Sequence, residues 1–376
     1  MTRDYFLFKG CATLVEMHPD NLIRMAVFAG AGASCFAEIP TVNSFFKCVK
    51  WPLSQGLSAA CQELARRISV FEGTQEHQDW PEVDAEKLFG WLELLEKADR
   101  IHDSRISIHI PNLLSPVLID PVISHLRSEI VRVYGSQIKP DVLSKAPHHS
   151  LVEVVDRLTP PNEPLYFFTT NYDSIIEEIL EGGGRASLTN GKTLRACTGF
   201  TTERPGRWQP ELFRAQPAPG ERLVQVVKLH GSATWKRDAT GPIDTGWGMA
   251  TPHDCLLYFG YKSVPELEPF ITLHTLLKTV LLRCEAVVVI GFRFADPYIR
   301  EIFDFALRAN PDLRVICSLT RSPDAESPLS AMMDRFPGRV VLLVDPEGNA
   351  IPFGRVGFET ILEQTLRNAR QSDAVA

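Results

Sequence analysis

"VFAGAGASCFAEIP", residues 27–40, places two glycines among alanines directly behind an apolar run. Glycine has no Cβ, so it admits positive φ and lets another group approach the backbone closely. Where a strand bends into a helix, such residues leave free N–H groups beside the positive end of the helix dipole, a setting that suits a phosphate. A plain strand-to-helix turn uses the same residues, so the bend needs companions before it speaks of function.

The run feeding this bend, "IRMAVFAG" (23–30), is one of several. "PLYFFTTN" (164–171), "LVQVVKLHG" (223–231), "AVVVIGF" (286–292), "RVICSLT" (314–320) and "RVVLLVD" (339–345) share its character. They are rich in Val, Ile and Phe without strict alternation, as in parallel strands covered on both faces. Helical patterns follow them, such as "DSIIEEIL" from Asp173 and "ADPYIREIFDFALRA" with Pro297 at a first helical position. Strand then helix, repeated, predicts an α/β fold with a Rossmann-like, doubly wound, mostly parallel sheet.

The stretch 45–150 reads differently. Leu88, Trp91, Leu92 and Leu95 share one helical face, and Val122, Leu126, Ile130 and Val133 another. We expect residues 1–44 and 151–350 to form the sheet unit, 45–150 an inserted helical subdomain, and 351–376 a C-terminal helix and tail. Residues 181–222 and 236–254 are rich in Gly, Pro, Arg and Thr and read as long loops or small excursions at the sheet edge.

Bulk properties narrow the function classes. The chain has 376 residues, 44% of them hydrophobic, enough for a real core. A net charge of −7 argues against strong direct nucleic-acid binding by the chain as a whole. No apolar run reaches the roughly 18 residues that span a bilayer, and the start "MTRDYFLFKG" is no signal peptide, so a soluble, cytoplasmic protein is expected. Its 8 cysteines are scattered, with no CxxC pair to suggest a zinc ribbon or a redox motif.

The bend's companions stand at other strand ends. "FFTTNYDS" sets Thr170, Asn171 and Asp173 there. Asp173 or Ser174 would cap the next helix, with Glu177 completing a capping box, while Asn171 is left for the ligand crevice at the strand's carboxyl end. "VVKLHGSATW" ends a strand at His230 and Gly231, where the histidine is either structural or placed for general-base work. "VVVIGFRFADPYI" ends another at Gly291 and supplies Asp296 ahead of Pro297, a helix cap able to orient a binding loop as well. Phe292 and Phe294 read as packing residues.

"GAGAS", "TTNYD", "KLHGS" and "GFRFADPYI", in that order, resemble the NAD site of the Sir2 family. Their wording is similar to the Sir2-like domains of bacterial antiphage systems, of the standalone kind that accompanies HerA-type ATPases, more than to sirtuin deacylases. The likeness runs from about residue 24 to 345 and is sharp at these motifs. It implies that Gly30, Ala31, Gly32 and Ser34 cradle the NAD pyrophosphate, that Asn171 sits by the nicotinamide ribose and the attacking water, that Asp173 holds the carboxamide, that His230 is the base near the ribose hydroxyls, and that Gly291 borders the adenosine ribose. Ala33, Thr170, Gly231 and Asp296 complete the implied binding set, and no residue is assigned to a metal.

The sequence also departs from sirtuins. Thr170 stands where they carry Gln, Tyr172 where they carry a small apolar residue, and Arg293 where a small residue is usual; the zinc-ribbon cysteines are absent. The resemblance therefore implies an NAD+ hydrolase that yields ADP-ribose and nicotinamide, depletes NAD in antiphage defence by abortive infection, and is regulated by a partner. That partner would be a HerA-like hexameric ATPase or a short Argonaute-type protein, and the chain itself would form a homo-oligomer. The competing expectations are an NAD-dependent protein deacylase and a non-catalytic sensor of NAD or ADP-ribose.

Overall fold

The computed structural model describes residues 23–41, 44–50, 59, 116–181, 187–246, 255–258, 265 and 267–373. Leu88, Trp91, Leu92 and Leu95, with most of the stretch 45–150, lie outside them. In chain order the elements are β1 (Met25–Ala29), a 3₁₀ helix (Ala31–Ala37), α1 (Phe45–Cys48), α2 (Pro116–Tyr134), α3 (Pro140–Leu143), α4 (His148–Leu158), β2 (Leu165–Thr169) and α5 (Ile175–Leu180). Then come β3 (Thr193–Cys197), β4 (Gly206–Arg207), a 3₁₀ helix (Pro210–Arg214), β5 (Glu221–Lys228), β6 (Gly231–Asp238), β7 (Gly241–Asp244) and β8 (Cys255–Leu257). The chain continues with α6 (Phe270–Leu281), β9 (Ala286–Ile290), α7 (Pro297–Ala309), β10 (Arg314–Ser318), α8 (Pro328–Arg335), β11 (Val340–Leu342) and α9 (Phe358–Asp373).

The main sheet has the order β11-β10-β9-β1-β2-β5-β3, and every pairing in it is parallel. Each apolar run read from the sequence overlaps one of its strands. Successive residues on a strand point to opposite faces, and both faces are buried. Phe28, Phe168, Val227 and Val289 pack with Leu273 and Leu277 of α6, Phe303 of α7 and Leu329 of α8. Val27, Phe167, Val226 and Val288 pack with Leu151 and Val155 of α4, Ile176 of α5 and Leu362 of α9. The stripe Val122, Leu126 and Ile130 is buried on α2, with Val133 half-buried. β1 lies between β2 on one side and β9 on the other, so the strand order switches direction around it. A crevice opens at the carboxyl ends of the strands at such a point.

The stretches expected as loops hold more order than that. β3 pairs with β5 at the sheet edge. β4, β6, β7 and β8 form a second, antiparallel sheet in the order β4-β7-β6-β8. β4, β7 and β8 are short, and β6 and β7 meet at a turn with Gly241 at φ +127. Their apolar signal is too brief to show as a strand. The chain crosses from one sheet to the other through Leu229 and His230, between the end of β5 and the start of β6.

Candidate active site

β1 ends at Ala29, and Gly30, in extended backbone at φ −101, caps a 3₁₀ helix rather than an α-helix. Positive φ is not what its glycines supply, since neither Gly30 nor Gly32 adopts it. Closeness is. A Cβ on Gly30 would stand 2.7 Å from the carbonyl oxygen of Gly291, and one on Gly32 would stand 2.7 Å from the Gly291 Cα. Gly291 is left-handed at φ +61, and its own Cβ would lie 2.5 Å from the Gly32 Cα. The Gly32 N–H donates to the Gly291 carbonyl at 3.2 Å, and Gly30 N–H to that of Ile290 at 2.8 Å. The bare backbone after β1 therefore lies on the bare backbone after β9.

Asn171 faces this bend. Its Nδ2 donates to the Gly30 carbonyl at 3.1 Å and to Ser34 Oγ at 2.8 Å. Ser34 Oγ in turn donates to Asp173 Oδ2 at 2.7 Å, while Asp173 Oδ1 accepts the N–H of Ile175 at 3.1 Å. The hydroxyl hydrogen of Ser34 is thus directed at a carboxylate inside the protein. Ser174 is the N-cap of α5 without a side-chain cap bond; its Oγ donates to Glu178 at 2.7 Å. The expected capping box with Glu177 does not form, because Glu177 turns inward to Lys228, with Nζ to Oε1 at 2.9 Å. Lys228 is fully buried and also donates to the Asp173 carbonyl. Burial pushes the Glu177 carboxyl above its usual range, against the pull of the Lys228 ammonium. Burial raises Glu178 as well, although Ser174 and the Ile138 N–H hold its charged form.

His230 is buried at 2% exposure, and its Nε2 lies 3.0 Å from Asp296 Oδ2. The other Asp296 oxygen accepts the N–H groups of Tyr298 at 2.9 Å and Ile299 at 3.1 Å, capping α7. One carboxylate thus both starts a helix and orients an imidazole. With a carboxylate at Nε2 as acceptor, that nitrogen carries the hydrogen, and in the neutral ring Nδ1 is the basic one.

Two adjoining cavities open here. The larger, of about 600 Å3, is lined by residues that include Ala31, Gly32, Ala33, Thr170, His230, Gly291 and Asp296. The smaller, of about 30 Å3, is lined by residues that include Ala31, Ser34, Thr170, Asn171, Tyr172 and Asp173. Ala31 and Thr170 belong to both, so His230 and Asn171 stand on either side of a shared rim. Gly30 and Gly231 are not among the residues lining the two. Gly30 packs on Gly291, and Gly231, at φ +84, turns the chain into β6 where a Cβ would lie 2.2 Å from the Leu256 carbonyl oxygen.

The larger cavity has walls that the sequence reading passed over: Phe292, Ser318, Thr320 and Phe353. Phe292 was expected only to pack, and it does contact Phe28 at 4.8 Å between ring centroids. Ser318 ends β10 beside Gly291 and Thr320 follows two residues on, so the rule that singled out the other strand ends applies to them too. Among the described residues no group of His, Cys, Asp and Glu side chains could hold a metal ion, and no helix is long and apolar enough to cross a membrane.

Residues 166–334 match the family model described as the SIR2-like domain. That span takes in Thr170 to Asp173, His230 and Gly291 to Asp296, and it begins after the glycine bend. Solved structures similar to the chain include a Sir2 homologue in complex with NAD, at 12% identity over 93% of this chain and 90% of that one, with a TM-score of 0.39. A mutant Sir2 homologue in complex with 2'-O-acetyl ADP ribose has the same identity and TM-score, with 93% and 92% of the chains covered. A Sir2 protein bound to a propionylated peptide is 8% identical over 94% of each chain, with a TM-score of 0.34. No curated protein matches the sequence.

Proposed function

We propose that this chain is an NAD+ hydrolase, which cleaves the nicotinamide–ribose bond to give ADP-ribose and nicotinamide. The observation that carries the reading is the placement of an amide and an imidazole, Asn171 and His230, in adjoining cavities that meet at Ala31 on the glycine bend and Thr170 at the end of β2. The larger cavity falls within the range of about 300–1,000 Å3 common to small-molecule sites. Asn171 and Asp173, beside the smaller one, offer the amide and carboxylate that a carboxamide would engage. The SIR2-like match of residues 166–334 supports the same substrate.

The chemistry suits these groups. Nicotinamide leaves neutral from a cationic glycoside, so the site need not protonate it. The site must hold the ribose, stabilise an oxocarbenium-like transition state and position water. His230, aimed by Asp296, accepts the proton of a ribose hydroxyl or of the incoming water. Asn171, held on the Gly30 carbonyl and Ser34, orients its neighbours without titrating. We place the reaction in regulated NAD depletion during antiphage defence. A HerA-like hexameric ATPase is the first partner to test, a short Argonaute-type protein the second, and a homo-oligomer the expected state of the chain. Residues 1–44 and 151–350 would form the catalytic unit in this reading, with 45–150 as its insert.

The test is nicotinamide release from NAD by the purified full chain, alone and with each partner. His230→Ala and Asn171→Ala should each lower turnover by roughly 10²–10⁴-fold, the effect of a positioned acid–base group. Wild-type rates in the His230→Ala variant would remove that residue from the mechanism. Strict dependence on an acetylated peptide would turn the proposal into a deacylase.

A further inference from the structure

The turn after β9 carries a side chain that the hydrolysis itself does not use. Phe294 is fully buried in left-handed backbone at φ +60, with its ring against Phe292 at 5.2 Å and Phe303 at 5.0 Å. Its carbonyl accepts from Arg300 at 3.1 Å. With its neighbour clamped in this way, Arg293 is exposed and lines the larger cavity. Among the described residues no carboxylate pairs with its guanidinium.

β9 and β10 run in parallel with Ile290 opposite Ser318. Arg293 and Thr320 therefore leave the sheet from adjacent strand ends and line one cavity. Thr320 is exposed. Ser318 Oγ donates to the Ile351 carbonyl at 2.8 Å, which leaves its lone pairs unused by that bond. Among the described residues the cavity's sole lining carboxylate is Asp296, and both of its oxygens are engaged by His230 and the start of α7.

In doubly wound sheets that bind dinucleotides, an acidic residue takes the ribose 2'-hydroxyl of NAD, whereas a nearby arginine accommodates a 2'-phosphate. Among the described residues no carboxylate lining the cavity is left for the first role, and a guanidinium stands ready for the second. Resting on the dinucleotide reading above, we infer that Arg293 and Thr320 form a ribose 2'-phosphate subsite, so that the cavity takes the phosphorylated dinucleotide NADP as well as NAD. A guanidinium binds phosphate through two parallel N–H donors, a geometry that a lysine lacks.

The experiment is a calorimetric titration of the full chain with adenosine 2',5'-bisphosphate and with AMP, the portions of NADP and NAD that turnover cannot consume. NAD is titrated alongside them into the chain carrying His230→Ala. The bisphosphate should bind about tenfold or more tightly than AMP, as a charge-assisted phosphate contact provides. Arg293→Ala should erase that preference, and Arg293→Lys should keep part of it. Equal binding of the two by the wild type would overturn the subsite while leaving NAD hydrolysis standing. So would an Arg293→Ala variant that weakens both alike, which would assign the guanidinium to the shared 5'-phosphate. Failure of AMP and NAD alike to bind would bring down the dinucleotide reading and this inference with it.

Discussion

The two sides of the site are built from opposite materials. On the β9 side the structure brings backbone against backbone: Gly30 and Gly32 lie on Gly291 with no room for a Cβ. On the β5 side it brings charge against charge. Lys228, fully buried, reaches Glu177 and the Asp173 carbonyl, and Asp173 reaches Ser34. One side is shaped by what is missing from the chain, the other by polar groups that must find each other out of water. The first leaves its mark in the sequence as glycine. The second leaves almost none, because its partners come from β5 and α5 and meet only in the fold.

The sharpest way to break this comparison is Lys228→Met. Removing one partner of a buried pair leaves the other charge uncompensated, at a cost of about 3–5 kcal/mol. Glu177 Oε2 already has no hydrogen-bond partner, so Oε1 would lose the ammonium that holds it. Urea unfolding of the single variant should register that loss. The double variant Lys228→Met/Glu177→Leu should regain most of it, since two apolar residues can replace a buried pair at little net cost. A single variant as stable as wild type would mean that the charged side contributes nothing to the architecture.

On the glycine side the corresponding change is Gly291→Ala. The left-handed backbone costs a residue with a Cβ about 1–2 kcal/mol. The contact at 2.5 Å with the Gly32 Cα adds an overpacking penalty of about 1–3 kcal/mol. We expect a loss of about 2–5 kcal/mol in the same unfolding assay, together with weaker NAD binding, because the bend and the larger cavity share this contact. Full stability in the variant would show that the two turns can part without harm, and the glycines would then have to be explained by a ligand alone.

What the sequence made readable follows from the same division. The parallel strands stand out because burial on both faces demands unbroken Val, Ile and Phe, as in "AVVVIGF". Gly30, Gly32 and Gly291 are visible as residues without side chains, though the sequence does not say that they touch one another. Asp296 is legible as a cap ahead of Pro297, and its second bond, to His230, is not. Glu177 and Glu178 look alike on paper as first-turn acids. Only the fold sends Glu177 to Lys228 on β5 and Glu178 to Ser174 and to the Ile138 N–H in the link between α2 and α3. The antiparallel sheet stayed hidden because β4, β7 and β8 are too short to show a period. Arg293 could be singled out as unusual, but its place in one cavity with Thr320 depends on the pairing of β9 with β10.

His148 supplies the smallest effect and a counterexample behind the glycine side. Its ring is buried against Phe353 at 4.9 Å and Phe36 at 5.5 Å, two residues that line the larger cavity. Its Nδ1 has no hydrogen-bond partner. Lys228 is buried with an opposite charge, whereas His148 is buried without one. Burial, helped by His149, pushes its pKa down to about 3 from an ordinary 6.5. Above pH 6.5 the ring is neutral whether the chain is folded or not, and it has no effect on the pH dependence. Between 6.5 and 3 the unfolded chain takes up a proton that the folded chain refuses. Stability must therefore fall as pH falls, by about 1.4 kcal/mol per pH unit. His148→Phe removes the proton site and keeps an aromatic ring in the cluster. Between pH 7 and pH 5 the stability difference between variant and wild type should move by about 2 kcal/mol in favour of the variant, as read from urea unfolding at each pH. Parallel profiles for the two proteins would mean that His148 finds a proton acceptor when it charges, and the contrast with Lys228 would disappear.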